Sequence, residues 1–189
     1  MSEHEAVILS AVRTPSGKFQ GSLSGFPAPK LGAIVVKAAV ERAGLKNPGD
    51  IDEAFMGNVV SAGLGQAPAR QAVMSAGLPS SVGATSINKV CGSGLKAAML
   101  SAASIKAGDG QLYVAGGFES MSRAPYLVQG RSGELRFGHM QLTDALLNDG
   151  LWCALENWGM GDAAEFIAKE YNVTREAMDK FAFESHQKA

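Results

Sequence analysis

The sequence predicts an α/β fold, with a sheet of parallel type covered by helices on both faces. Short apolar runs alternate with longer segments rich in Ala, Leu and Val over the first 116 residues, and strands buried on both faces are near-continuous apolar runs. The composition agrees, because 189 residues with 46% apolar and 19% charged content can bury a substantial core in one or two globular units.

The elements of this fold follow in order along the chain. Strands are predicted at 6–11, 51–60, 84–90 and 112–116, and helices at 31–43, 68–77 and 91–107. Gly44 follows the first helix, as glycine does at many helix ends, and Pro68 begins the second, where proline is tolerated. From about residue 120 a polar stretch, 129–138, precedes helical segments near 142–147, 162–171 and 175–188, so we place a boundary near 120–123.

Charge and targeting signals exclude several classes of function. The net charge is −1 with acidic and basic residues interspersed, which does not favour a nucleic-acid partner. No apolar run approaches the roughly 18–20 residues of a membrane span, and the first five residues lack the character of a targeting peptide. We therefore expect a cytoplasmic protein without a membrane partner.

The cysteines and histidines are isolated from one another. Cys91 and Cys153 have no metal-ligand spacing and do not suggest a disulfide, so no metal is expected. Cys153 lies in an apolar run and is interpreted as a packing residue. The three histidines, His4, His139 and His186, are interpreted as surface residues, and none is paired with Cys91 by the sequence.

Cys91 is the candidate catalytic residue. It lies in Asn-Lys-Val-Cys-Gly-Ser-Gly at the junction of a strand and a helix, where the helix dipole and unpaired N–H groups favour the thiolate. A lone cysteine is more often a small buried apolar residue. Gly92 and Gly94 favour catalysis, because glycines in the first turn of an Ala-rich helix suggest a close approach to the backbone.

Five sequence blocks occur in a fixed order, at 11–15, 57–71, 88–94, 116–122 and 185–189. Together they resemble the thiolases, a family that condenses or cleaves acyl groups on coenzyme A. The resemblance implies a mixed sheet covered on both faces, a first unit at 1–121 carrying a nucleophilic Cys91, and a partial, mainly helical loop domain at 122–189. It also implies a coenzyme A thioester as substrate, with no separate cofactor.

Other motifs of the resembling family are absent from this sequence. Its Gly-His-Pro, Cys-x-Gly and Asn-Glu-Ala segments supply the activating histidine, the second cysteine and an oxyanion site, and none occurs in residues 1–189. We therefore expect the amino-terminal half of a thiolase, either a fragment or one subunit of a split enzyme. A complementary half is the expected partner, in a homo- or hetero-oligomer.

The resemblance also indicates two residues of an acyl pocket. Leu151 and Met160 would line it, although Gly159-Met160-Gly161 lacks the histidine of the family's His-Met-Gly, and both residues also suit ordinary packing. The leading interpretation is acetyl-CoA C-acetyltransferase activity. The alternatives are a longer-chain 3-ketoacyl-CoA thiolase and a non-catalytic acyl-CoA-binding or scaffold subunit.

Polar residues in the other blocks are predicted to be structural. Glu119 and Ser120 are expected to tie the end of the fourth strand to its neighbours. Asn58, Gln66 and Arg70 are expected in loop and subunit contacts, because polar groups in tight loops commonly bond to backbone.

Overall fold

The computed structural model describes residues 5–128, 130 and 137–188, which form two compact units. The first extends from Met1 to Leu146 and the second from Leu147 to Ala189. The predicted boundary after residue 121 lies inside the first unit. Residues beyond it are held there, since the N–H of Ala145 donates to the Pro125 carbonyl at 3.0 Å. The placement of the loop-domain border after residue 121 stays a prediction.

A three-stranded sheet forms the centre of the first unit. The elements in chain order are α1 (Ala28–Arg42), β1 (Glu53–Gly57), α2 (Pro68–Ser75), β2 (Gly83–Ile87), α3 (Ser93–Ala107) and β3 (Tyr113–Gly117), with 3-10 turns at Pro48–Asp50 and Met121–Arg123. The strand order is β2-β1-β3 and both pairings are parallel. The predicted α/β fold is confirmed. The resemblance also implied a mixed sheet, but no antiparallel strand occurs among the described strands of this sheet.

One face of the sheet carries the apolar core. Side chains two residues apart on a strand share a face, and Ala54 and Met56 of β1 are 0% and 1% exposed. They belong to a cluster with residues of α1 and α2, among them Val36 and Val73. The two helices therefore cover this face.

Helix α3 covers the opposite face with unusually small side chains. Ser93, Ala97 and Ser101 recur every four residues and are buried, and a Cβ on Gly57 of β1 would meet Ser93. The outward positions carry larger groups, with Leu95 70% and Met99 56% exposed. Helices on both faces are thus confirmed, and α3 presents apolar side chains away from the sheet.

The predicted strand at 6–11 is wrong. Val7, Ile8 and Leu9 are 58–88% exposed, and no strand is formed there. A strand requires a neighbouring strand for its backbone groups, and none of the described strands pairs with this segment. A hydrogen bond that Ser10 Oγ donates to the Ala39 carbonyl at 2.7 Å connects this segment to α1.

The remaining elements are short strands and two helices. A hairpin of β4 (Tyr126–Leu127) and β5 (Thr143–Asp144) belongs to the first unit, where a helix over 142–147 was expected. The second unit contains a π-helical segment (Leu147–Leu151), the hairpin of β6 (Trp152–Cys153) and β7 (Trp158–Gly159), α4 (Met160–Glu170) and α5 (Arg175–Lys188). The predicted polar stretch 129–138 lies mostly outside the described residues.

Candidate active site

Cys91 lies between the end of β2 and the start of α3, two residues before the first helical residue. Its side chain is exposed. The carboxyl ends of parallel strands share one edge of a sheet, and this edge is where α/β proteins place ligands. The interpretation of Cys91 as a buried packing residue is therefore not supported.

The turn before Cys91 has a strained backbone. Val90 has φ +47°, a left-handed conformation that is a true outlier for a β-branched residue and costs on the order of 1–3 kcal/mol. Asn88 Oδ1 accepts the Val90 N–H at 3.0 Å. Strain of this kind persists only where surrounding contacts hold it.

Ser93 makes the strongest contacts with this turn. Its hydroxyl accepts the Lys89 N–H at 2.8 Å and donates to the Val90 carbonyl at 2.6 Å. The backbone N–H of Ser93 donates to the same carbonyl at 3.1 Å. The side chain is only 5% exposed, so water competes little for these bonds.

The glycine that permits close packing at this site is Gly57. A Cβ there would lie 2.6 Å from Ser93 Cβ and 2.9 Å from Gly94 N. A Cβ on Gly92 or Gly94 would meet its nearest atoms at only 3.4 or 3.8 Å. The protein's own atoms therefore do not crowd Gly92 and Gly94, and the close approach of another group to their backbone stays a prediction. Crowding occurs instead between β1 and the start of α3, which the sequence around Cys91 did not indicate.

Glu119 joins the carboxyl ends of β1 and β3, as predicted. Its carboxylate accepts hydrogen bonds from Asn58 Nδ2 at 2.9 Å and from the N–H groups of Val59 and Val60 at 2.9 and 3.3 Å. Asn58 Nδ2 also donates to the Phe118 carbonyl at 3.2 Å, and Asn58 is 3% exposed. The network fixes the sheet edge that carries Cys91.

Three further polar residues have loop contacts of the expected kind. Ser120 Oγ donates to the Phe26 carbonyl at 2.8 Å. Arg70 donates to the carbonyls of Ser80 and Val82. Gln66 takes part through its backbone carbonyl, which accepts from Gln71 Nε2 at 2.8 Å, and a loop role for its side chain stays a prediction. The predicted subunit contacts of Asn58, Gln66 and Arg70 stay predictions.

Leu151 and Met160, the predicted acyl-pocket residues, belong to the second unit. Leu151 ends the π-helical segment and is 37% exposed, and Met160 begins α4 and is 39% exposed. Neither is a core residue of that unit. Between them, Cys153 is half-buried and its sulfur accepts the Glu156 N–H at 3.5 Å. The pocket role of Leu151 and Met160 stays a prediction.

The described histidines are surface residues, as predicted. His139 and His186 are both exposed. His4 lies outside the described part of the chain. A cleft of about 390 Å³ lies between residues 13–24 and 119–122, but Cys91 does not line it.

The described residues show neither a metal-binding cluster nor a membrane-spanning helix. No group of three or more His, Cys, Asp or Glu side chains is arranged to hold a metal ion. No helix there has both the length and the apolar character needed to cross a membrane.

The fold and the site together define an α/β protein with an exposed cysteine at the entry to a helix, on the carboxyl edge of a parallel sheet. Residues 6–189 match the family model "Thiolase, N-terminal domain". The chain belongs to the thiolase family.

Individual relatives agree with this assignment. The chain is 55% identical over 185 residues to an acetyl-CoA acetyltransferase from Cupriavidus necator, covering 98% of the chain and 47% of the relative. It is 50% identical over 189 residues to one from Schizosaccharomyces pombe, covering all of the chain and 48% of the relative. The chain thus spans about half the length of these relatives.

A solved structure shows the same fold. The Acat5 thiolase from Ascaris suum, crystallised in complex with coenzyme A, has a TM-score of 0.89 at 46% identity. The match covers 96% of this chain and 47% of that one. The recognition of an amino-terminal thiolase half from its motifs is therefore confirmed.

Proposed function

We propose that this chain is the nucleophile-bearing half of an acetyl-CoA C-acetyltransferase of the thiolase type. The reaction converts two acetyl-CoA molecules into acetoacetyl-CoA and coenzyme A through an acyl-Cys91 intermediate. The observation that carries the proposal is the exposed thiol of Cys91 at the entry to α3. The naming of the relatives as acetyl-CoA acetyltransferases supports the choice of acyl group.

The first half-reaction needs only groups near Cys91. The thiolate attacks the thioester carbonyl, the new S–C bond forms, and the bond to the coenzyme A sulfur breaks, releasing a thiolate that takes up a proton. Backbone N–H groups at a helix start suit the developing oxyanion. This chain therefore has the chemistry for acetyl transfer to itself.

The second half-reaction needs a base in addition to the Cys91 thiolate. A second acetyl-CoA must lose an α-proton before its carbon attacks the acyl group and releases Cys91. The family segments that carry this chemistry are absent from residues 1–189. We therefore assign the base to a complementary thiolase half.

The surface of the first unit supports such a partner. Leu95 and Met99 expose apolar area on α3, and β3 has a strand neighbour on one side only among the described residues. Apolar patches and open strand edges favour association. A partner half covering α3 would also enclose Cys91, which precedes that helix. Acyl-CoA as ligand, an oligomeric state and a cytoplasmic location belong to the same proposal.

The test is mass spectrometry of the purified chain after incubation with acetyl-CoA. We expect one acetyl group on Cys91, lost in Cys91→Ala and retained in the matched control Cys153→Ala. We expect no synthesis or cleavage of acetoacetyl-CoA until a chain carrying the Gly-His-Pro and Cys-x-Gly segments is added. Acetylation of Cys153 instead, or none at all, would contradict the proposal.

Turnover by the 189-residue chain alone would contradict the half-enzyme part of the proposal. The base would then be a residue of this chain, and His139→Ala would be the first variant to assay. Comparing acetyl-CoA with longer acyl donors in the acylation assay separates acetyltransferase activity from that of a longer-chain thiolase.

A further inference from the structure

We infer that Ser93 is a positioning residue for Cys91, acting through the backbone turn that precedes the cysteine. The inference rests on the proposed function, because it assigns Ser93 a role in the same site. It does not require Ser93 to touch the substrate.

The Ser93 hydroxyl makes both of its hydrogen bonds to the same turn. It accepts the Lys89 N–H at 2.8 Å and donates to the Val90 carbonyl at 2.6 Å. These are the two residues immediately before Cys91. A buried hydroxyl that satisfies both functions on one turn restricts that turn to a single geometry.

The turn needs such restraint because of Val90. Its φ of +47° is unfavourable for valine, and its side chain is 49% exposed, so packing contributes little to holding it. Asn88 accepts the Val90 N–H, and the backbone N–H groups of Gly92 and Ser93 donate to the Lys89 and Val90 carbonyls at 3.1 Å each, so the Ser93 hydroxyl is the side chain that bonds to both residues of the turn. Without the Ser93 hydroxyl, the turn relaxes and Cys91 loses its place at the helix entry.

Ser93 is itself anchored to the sheet. The backbone of Gly57 at the end of β1 packs so closely on Ser93 that a Cβ would lie 2.6 Å from Ser93 Cβ. A continuous set of contacts therefore runs from the central strand through Ser93 to the residues before Cys91. The sheet sets the position of the thiol.

The experiment compares Ser93→Ala with Ser101→Ala in the full 189-residue chain. Ser101 is a matched control, because it is also buried on α3 but its hydroxyl donates to the Ala97 carbonyl of its own helix, at 3.1 Å. The readout is the iodoacetamide alkylation rate of Cys91 divided by that of Cys153, below the unfolding transition. A local loss at Cys91 leaves the alkylation rate of Cys153 unchanged, whereas global unfolding raises that rate, because Cys153 is half-buried in the folded chain.

We expect Ser93→Ala to lower the ratio roughly fivefold, since thiolate reactivity depends on placement at the helix terminus. Ser101→Ala should leave it unchanged. Equal ratios in the two folded variants would overturn the inference. The proposed function fails separately, if iodoacetamide alkylates Cys91 of the unaltered chain no faster than Cys153 and the chain takes no acetyl group. Failure of the inference and failure of the proposed function are therefore distinguishable.

A second pair of variants, Val90→Gly with and without Ser93→Ala, tests whether Ser93 acts through Val90. Because Val90→Gly removes the backbone strain, this pair also serves if Ser93→Ala alone folds poorly. Glycine adopts positive φ without strain, so in a Val90→Gly background the loss of the Ser93 hydroxyl should change the ratio by less than about twofold. A fivefold fall in that background would overturn the role of the strained turn.

Discussion

Asp52 holds the amino end of the sheet at the scale of a single residue. Its carboxylate accepts the N–H groups of Gln111 and Leu112 at 2.7 and 3.0 Å, which aligns the start of β3 beside β1. These backbone hydrogen bonds, first that from Leu112 and then that from Gln111, lower the pKa of the Asp52 carboxyl below its usual value. Glu119 has the same joining role at the carboxyl end, where the candidate site lies.

We predict that Asp52→Ala lowers the free energy of unfolding by at most about 1 kcal/mol at pH 7, because water screens this exposed carboxylate and reduces the contribution of its two backbone hydrogen bonds. Because the folded pKa is depressed, this contribution is present above the unfolded pKa near 4 and is lost as pH falls through the lowered folded value. Urea titrations of variant and unaltered chain should therefore converge as the pH falls below about 4.

The control for Asp52 is Asp109→Ala. Asp109 is an exposed aspartate before the same strand, and among the described residues its hydrogen bond is made by the backbone N–H, to the Ser104 carbonyl at 3.0 Å. It should change stability little. An equal loss in both variants would show that general charge, and not the two backbone bonds, produces the effect.

At the scale of elements, the contact between β1 and α3 depends on a missing side chain. Gly57 has no space for a Cβ, since Ser93 Cβ, Ser93 C and Gly94 N would lie at 2.6–2.9 Å. Two of these three atoms are backbone, so the clash cannot be relieved by a side-chain rotation. The start of α3 would have to move.

We predict that Gly57→Ala destabilises the chain by about 1–3 kcal/mol, the usual cost of overpacking. It should also lower the alkylation rate of Cys91, because the helix entry shifts with α3. Thermal and urea unfolding measure the first effect, and peptide mass spectrometry measures the second.

Gly116→Ala in β3 is the matched control for Gly57. A Cβ there would meet Met56 Cε at 3.6 Å, an ordinary contact with the end of a flexible side chain. We expect a smaller loss of stability and no change at Cys91. If the two alanine variants behave alike, the close approach of β1 to α3 does not govern the site.

At the scale of the whole molecule, α3 is packed with its smaller side chains inward. Ser93, Ala97 and Ser101 face the sheet, and Leu95 and Met99 face away. Apolar side chains that face away from the sheet into solvent contribute little to the stability of the chain itself. They are expected to stabilise a complex in which a partner covers them.

We predict that Leu95→Gln with Met99→Gln weakens association of this chain with itself or with a complementary half. Sedimentation velocity at micromolar concentrations should show a shift toward the monomer. The stability of the monomer should change little, because both side chains are more than half exposed.

Ile34→Gln on α1 is the control for association, since Ile34 is 49% exposed on a helix that covers the other sheet face. Its effect on sedimentation should be small. A chain that remains a monomer across these concentrations, before any substitution, would contradict the proposed association.

The sequence by itself determined the alternation of strands and helices, the family, and the position of Cys91 at a strand–helix junction. These follow from local patterns, namely apolar periodicity, helix-terminal glycines and ordered motifs. It did not determine the fate of residues 6–11, whose apolar character suits a strand but whose backbone has no described strand to pair with. Nor did it show the left-handed Val90, or that Gly57, more than 30 positions earlier, makes room for Ser93. Those features depend on which segments meet in space, and only tertiary packing decides that.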